Sequence, residues 1–210
     1  PFTVAYFKAC MSMIFYIHPP TQKYIYKNKF KKFVLYEPGE DTFLLLDCVE
    51  PNGKILEMGA GRGIISIELF KRGYDVTAAD IDIESINHIK NEIWQIKCIV
   101  SDLFENINEK YDTIIFNPPY LPGDYDEDIV IYGGENGSEI IKRFLREAYD
   151  HLNEDGTIYI VLSSFNDIDN IIEEFSMYNF ERICEMKLSF HYIYVYRIRR
   201  KYHDGPENTD

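Results

Sequence analysis

The chain lacks the features of a metal ribbon, a disulfide scaffold or a membrane protein. Its four cysteines, Cys10, Cys48, Cys98 and Cys184, form no CxxC pair and have no histidine at ligand spacing. That spacing excludes a zinc ribbon and predicts no metal site and no disulfide framework. Buried free thiols in a reducing cytoplasm are expected instead, because unpaired cysteine behaves as a small hydrophobe. No long apolar run is present: Val4 to Ile17 is interrupted by Lys8 and falls short of the roughly 20 residues of a spanning helix. The cations follow that run rather than precede it, unlike a secretory signal. There is no internal repeat and no low-complexity tract. Acid is also missing where the chain begins. Residues 1–35 hold six lysines (Lys8, Lys23, Lys27, Lys29, Lys31, Lys32) and no Asp or Glu.

What is there is an ordinary globular composition, 210 residues with 46% apolar and 27% charged side chains, enough for one domain. The net charge is −13, and outside the basic arm 16 cations face 35 acids. Phosphate contacts need clustered cations, so such a body is a poor general binder of nucleic acid. The expected organisation is a basic N-terminal arm over 1–35, one folded domain over 36–200 and an acidic tail over 201–210.

From residue 53 onward strand-like and helix-like patterns alternate. Lys54–Met58, Asp75–Asp80, Gln95–Val100, Tyr111–Phe116 and Thr157–Leu162 read as strands. Residues 64–72, 83–93, 138–152 and 167–178 carry helical periods. Phe180–Leu188 and His191–Ile198 are strand-like and too close together for a crossover helix, so they pair antiparallel. The fold class is therefore α/β: a doubly wound, mostly parallel seven-stranded sheet with a C-terminal antiparallel hairpin.

Three constellations fall at the strand ends, where ligands bind in such sheets. Glu57-Met58-Gly59-Ala60-Gly61-Arg62-Gly63 follows the first strand and opens a helix. Its glycines let the backbone turn tightly and approach a ligand, next to the free N–H groups of a helix N-terminus. The spacing is GxGxG and not the GxGxxG of dinucleotide binders. Asp80 ends the second strand, where an acid accepts hydrogen bonds from ribose hydroxyls, and Asp82 is the alternative. Asn117-Pro118-Pro119-Tyr120 follows the fourth strand. Two prolines fix φ and remove two N–H donors, leaving carbonyl acceptors on a stiff backbone. With the Asn117 amide oxygen and the Tyr120 ring they form a socket for a planar –NH₂ group.

These residues resemble the class I S-adenosylmethionine-dependent methyltransferases, and NPPY resembles their amino-methylating branch. Tyr36-Glu37-Pro38-Gly39-Glu40-Asp41-Thr42-Phe43-Leu44-Leu45 looks like the YEPxEDTxLL segment of the HemK-like glutamine methyltransferases, in their short archaeal and eukaryotic form. Ser101-Asp102-Leu103-Phe104 is similar to that family's acidic segment after the third strand. Gly133-Gly134-Glu135-Asn136-Gly137 is similar to its GGxxG element. The resemblance runs from about Tyr36 to about Arg199. NPPY alone is shared with DNA and RNA methylases.

The resemblance implies a Rossmann-like enzyme that uses S-adenosyl-L-methionine, releases S-adenosyl-L-homocysteine and acts in the cytoplasm. Backbone donors at Gly59, Ala60 and Gly61, with Asp41 and Thr42, would hold the methionine end. Asp80 with Ile81 would hold the ribose, Asp102 and Leu103 would meet the adenine, and Glu57 would support the loop from behind. Asn117, Pro118, Pro119 and Tyr120 would form the catalytic socket, with Asn117 also facing the cofactor. No histidine is assigned as a base, His88, His151 and His191 included. The implied substrate is the glutamine amide nitrogen (N5) of the GGQ loop of a class 1 translation release factor. The alternatives are an N6-adenine or N4-cytosine methyltransferase on DNA or RNA, and a cofactor-binding scaffold without catalysis. In the resembling family the third-strand edge docks a small zinc-binding activator protein, which makes Gln95–Val100 a candidate partner edge. Asp124–Asp128 is either an orienting acidic loop for a basic substrate segment or a solvated one.

Overall fold

A computed structural model describes residues 39–123, 133, 134 and 136–201. The basic arm, Tyr36–Pro38, the acidic run Asp124–Asp128, Glu135 and the tail beyond Lys201 lie outside the described residues.

Among the described residues, twelve elements follow in chain order: α1 (Glu40–Cys48), β1 (Lys54–Met58), α2 (Ile64–Lys71), β2 (Asp75–Asp80), α3 (Ile83–Glu92), β3 (Lys97–Val100), β4 (Tyr111–Phe116), α4 (Glu139–His151), β5 (Leu152–Ser163), α5 (Ile168–Glu174), β6 (Tyr178–Lys187) and β7 (Tyr192–Arg200). The seven strands form one sheet in the order β3-β2-β1-β4-β5-β7-β6. The first five are parallel, and β7 runs antiparallel to both β5 and β6. The expected sheet and its closing hairpin are therefore present. The order reverses between β1 and β4, which places a crevice at their carboxyl ends, where such sheets bind ligands.

Alternation along β1 shows how both faces are covered. Leu56 and Met58 join Ile114, Phe116, Phe144 and Leu145 on one side. Ile55 joins Ile115, Leu45, Ile65 and Leu69 on the other. Helix α4 forms because Ile141, Phe144, Leu145 and Ala148 fall on one stripe at helical spacing, and all four are buried. Each such aliphatic or aromatic side chain contributes about 1.5–3 kcal/mol on burial. Helix α3 starts where the Asp82 carboxylate accepts from the N–H groups of Glu84 and Ser85, both at 3.1 Å. Asp82 is thus an N-cap.

Several sequence readings are corrected. Helix α5 ends at Glu174 rather than 178: Tyr178 is buried, donates its hydroxyl to the Leu145 carbonyl (3.0 Å) and opens β6. Strand β5 begins at Leu152, directly after α4, and a bulge follows its pairing with Tyr111. Helix α1 was not read as an element at all. The expectation of free thiols fails for two cysteines, because Cys48 and Cys184 form a disulfide with Cα atoms 6.5 Å apart, and Cys98 is free. The partners lie 136 residues apart in sequence, so linear spacing carries no sign of the pair. Among the described residues no helix is long and apolar enough to cross a membrane, and no group of three or more His, Cys, Asp or Glu could hold a metal ion.

Candidate active site

The turn after β1 takes Gly59 and Gly61 to φ +62° and +51°, a backbone region costly for other residues. The position that a Cβ on Gly61 would occupy is open space, so the loop presents bare backbone to the crevice. Behind it, Glu57 is buried and accepts hydrogen bonds from the Ser66 N–H (2.8 Å) and the Ser66 hydroxyl. Burial pushes the Glu57 carboxyl up to about 7, against the Ser66 donors that hold it down. The folded chain therefore binds this proton more tightly than the unfolded chain does. The stability it contributes is full at low pH and falls as pH rises from about 4.5 to about 7. Glu57→Gln should flatten that fall, so that the variant gains on the native chain between pH 5 and 7.5 in urea unfolding; parallel curves would show that Glu57 is ionised throughout.

Asp80 closes the next strand. Its Oδ2 accepts from the Gly61 N–H (2.7 Å) and its Oδ1 from the Asp82 N–H (2.8 Å). Burial pushes this carboxyl up while backbone donors from Asp82, Gly61 and Ile81 hold it down. Of the carboxylate's roughly four lone-pair sites, one remains for a hydroxyl donor. Ile81 beside it is exposed. The β3 end lies alongside, since the Ser101 N–H donates to the Asp80 carbonyl (2.9 Å). There Leu103 takes φ +45°, the one non-glycine at positive φ among the described residues. Its carbonyl accepts from the Ser101 hydroxyl (2.7 Å), which holds this strained turn. Asp102 has a partner that sequence reading missed: Arg143 on α4 donates one nitrogen to both of its carboxylate oxygens at 2.9 Å.

The fourth segment is the NPPY turn after β4. Asn117 Nδ2 donates to Thr42 Oγ1 (3.2 Å) and the Tyr120 hydroxyl donates to Asp41 Oδ2 (3.0 Å). Asp41 and Thr42, read as residues for the cofactor's methionine end, thus stand at the start of α1 and brace the turn. Asn117 Oδ1 is shielded from solvent and has no hydrogen-bond partner. A buried, unmet acceptor costs about 1–3 kcal/mol, and such an atom calls for a ligand or functional account.

A second brace was also missed. Asn166 is buried just beyond β5 and uses its whole amide. Its Nδ2 donates to the carbonyls of Tyr120 (3.0 Å) and Gly137 (2.7 Å), while its Oδ1 accepts from the Ser163 N–H (2.8 Å). Asp167 is the α5 cap, accepting from the Asn170 N–H at 3.2 Å. The GGxxG element packs on the same turn: Gly137 sits at φ +68°, and a Cβ there would come within 2.5 Å of the Tyr120 carbonyl oxygen.

A sheet in this order, with a glycine loop, an acid and an Asn-Pro-Pro-Tyr turn gathered at its carboxyl ends, is the architecture of class I methyltransferases. Comparison with known proteins agrees. The methyltransferase small domain family matches residues 36–190, and the chain belongs to that family. A relative from Methanocaldococcus jannaschii, named as a protein N5-glutamine methyltransferase, is 40% identical over 144 residues, covering 62% of this chain and 73% of the relative. The release factor glutamine methyltransferase of Streptococcus pneumoniae is 34% identical over 134 residues, which cover 56% of this chain and 48% of that protein; the chain thus spans about half its length. Among solved structures, the E. cuniculi Mtq2–Trm112 complex, described as responsible for methylation of the eRF1 translation termination factor, matches with a TM-score of 0.67 and 28% identity. The match covers 79% of this chain and 98% of that one.

Proposed function

We propose that this methyltransferase uses S-adenosyl-L-methionine to methylate the glutamine amide nitrogen of a class 1 release factor, in its GGQ loop. The observation that carries the reading is the buried, unpartnered Oδ1 of Asn117, fixed in direction by the Nδ2–Thr42 bond. The bare backbone at Gly61 and the remaining lone pair of the Asp80 carboxylate fit the cofactor's methionine and ribose ends. When bound, the cofactor supplies an electrophilic methyl group on a sulfonium.

An amide nitrogen is a poor nucleophile because its lone pair is delocalised into the carbonyl. Asn117 Oδ1 and the Pro118 carbonyl accept its two hydrogens and turn the lone pair toward the methyl. Positive charge grows on nitrogen during transfer, so these acceptors bind the transition state more strongly than the ground state. No strong base is required, since the methylated nitrogen is acidic. Pro119 keeps the turn stiff, and Tyr120 offers its ring to the amide plane.

Two partners belong to this reading. Strand β3 is the outer edge of the sheet, with Val100 exposed and Trp94, in the turn entering it, 79% exposed. Ile96, within the candidate edge Gln95–Val100, is buried and offers a partner nothing. An open edge flanked by apolar side chains suits strand addition by a small zinc-binding activator protein. The place of action is the cytoplasm, with the release factor.

Labelled cofactor, incubated with the protein and either a release factor or an oligonucleotide, tests the proposal. Label should enter the factor, at the glutamine of its GGQ loop. Label in the oligonucleotide and none in the factor would overturn it and favour the adenine or cytosine reading.

A further inference from the structure

The turn after β3 is held to α4 more firmly than packing alone requires. Phe104 closes the turn and is buried, its ring 5.5 Å from that of Phe144 and 4.7 Å from that of His151, centroid to centroid. These contacts already fasten the turn to the helix. The same helix then grips the turn on both sides of Leu103. Arg143 donates one nitrogen to both carboxylate oxygens of Asp102 at 2.9 Å, and its Nε to Glu147 at 2.9 Å. Glu147 in turn accepts from the Phe104 N–H at 3.4 Å. Arg143 and Glu147 stand one helical turn apart, so both reach the same side. Between the two grips lies Leu103 at φ +45°. A strained backbone of this kind persists only where its surroundings over-determine it, and it gathers at ligand clamps.

The ion pair is no core feature. The Arg143 and Asp102 side chains are 35% and 37% exposed. Such pairs add little to stability, because water screens the charges and two side chains lose freedom. What the pair does fix is direction. Arg143 takes two lone-pair sites of the Asp102 carboxylate, and about two remain for a donor from the crevice. That crevice is the one beside Asp80, whose carbonyl the Ser101 N–H meets at the end of β3. A heterocycle with an exocyclic amine supplies such a donor. Without Arg143 the carboxylate would keep its charge, and screening would damp any gain in its strength as an acceptor. It would also turn freely, so lost orientation outweighs gained charge.

We propose that Arg143 is a positioning residue for cofactor recognition: it aims the Asp102 carboxylate at the adenine amine and so sets the preference for adenine. The proposal rests on the cofactor reading above, in which Asp102 meets the adenine, and adds the residue that makes this acid selective.

Calorimetry with the full chain tests it. Two compounds are compared, S-adenosyl-L-homocysteine and its analogue with hydrogen in place of the adenine amine, in the native chain, Arg143→Ala and Arg143→Lys. The native chain should prefer the amine-bearing compound by about 10–100-fold, the worth of one hydrogen bond to a charged group. Arg143→Ala should cut that preference at least about fivefold, by weakening the amine-bearing compound and leaving the analogue nearly unchanged. Arg143→Lys keeps the charge but loses the planar fork that spans Asp102 and Glu147, so its preference should fall in the same direction. Tm should stay nearly unchanged in both variants. An equal loss for both compounds, with the preference kept, would show a structural role only and overturn the proposal, as would unchanged binding of both. A native chain that binds the two compounds equally would overturn Asp102 as the adenine's partner, and Arg143 with it, while methyl transfer to the release factor stands. A native chain that binds neither compound would overturn the cofactor reading itself.

Discussion

Asn117→Ala is expected to lower kcat by about 10²–10³-fold, the usual loss when one preorganised polar group facing developing charge is removed. Cofactor binding should change little, because the contacts expected to carry it come from the turn after β1 and from the β2 end, where the Gly61 and Asp82 N–H groups hold Asp80. Stability should change little as well. Asn117 Oδ1 has no partner to lose, and its Nδ2 makes one bond, to Thr42 Oγ1 at 3.2 Å. The alanine chain therefore sheds an unmet buried acceptor and gives up one modest hydrogen bond, with nearly offsetting effects. That combination, a lost rate with intact fold and intact cofactor binding, distinguishes a catalytic acceptor from a structural one. Single-turnover rates with labelled cofactor and a release factor, beside calorimetry of the cofactor alone, give both quantities. An undiminished rate would refute the socket.

The parts of this site that could be read from sequence are those built from consecutive residues. The glycine loop, Asp80 and the NPPY turn each sit within a few positions of a strand end, and the strands show themselves as short apolar runs stopped by glycine or acid. Pairings between distant segments left no such trace. Asn166 reaches Tyr120 and Gly137 across 46 and 29 positions, and Arg143 meets Asp102 across 41. The sequence assigns His191 no catalytic role, and its position beside Tyr120 exists only because β7 returns antiparallel along β5. Helix α1 escaped notice for another reason. Leu44, Leu45 and Leu46 are consecutive, so the segment lacks a sharp helical stripe, and two buried leucines with a disulfide at its end tie it to the sheet.

That disulfide supports the second large expectation. Cys48 ends α1 and Cys184 lies on β6, an edge strand whose one neighbour is β7. The covalent tie thus links two peripheral elements across 136 residues. A cross-link over so long a loop restricts the unfolded ensemble strongly, and such pairs stabilise by about 2–4 kcal/mol. Loss of the bond, by Cys184→Ala or by reductant, should lower Tm by roughly 5–15 °C for a chain of this size. Cys98→Ala serves as the control, since Cys98 is free and should show no such loss. The consequence reaches the active site through α1, because the same helix carries Asp41 and Thr42 against Tyr120 and Asn117 at its other end. On warming, the reduced protein should therefore lose methyl transfer at a temperature lowered in parallel with its Tm, while the oxidised protein keeps both. Thiol counting by mass spectrometry under non-reducing conditions fixes the starting state. Two alkylatable thiols at Cys48 and Cys184 in the native protein, or a Tm indifferent to reductant, would show that no covalent tie is at work and leave α1 held by its buried leucines and by the Asp41–Tyr120 and Thr42–Asn117 hydrogen bonds.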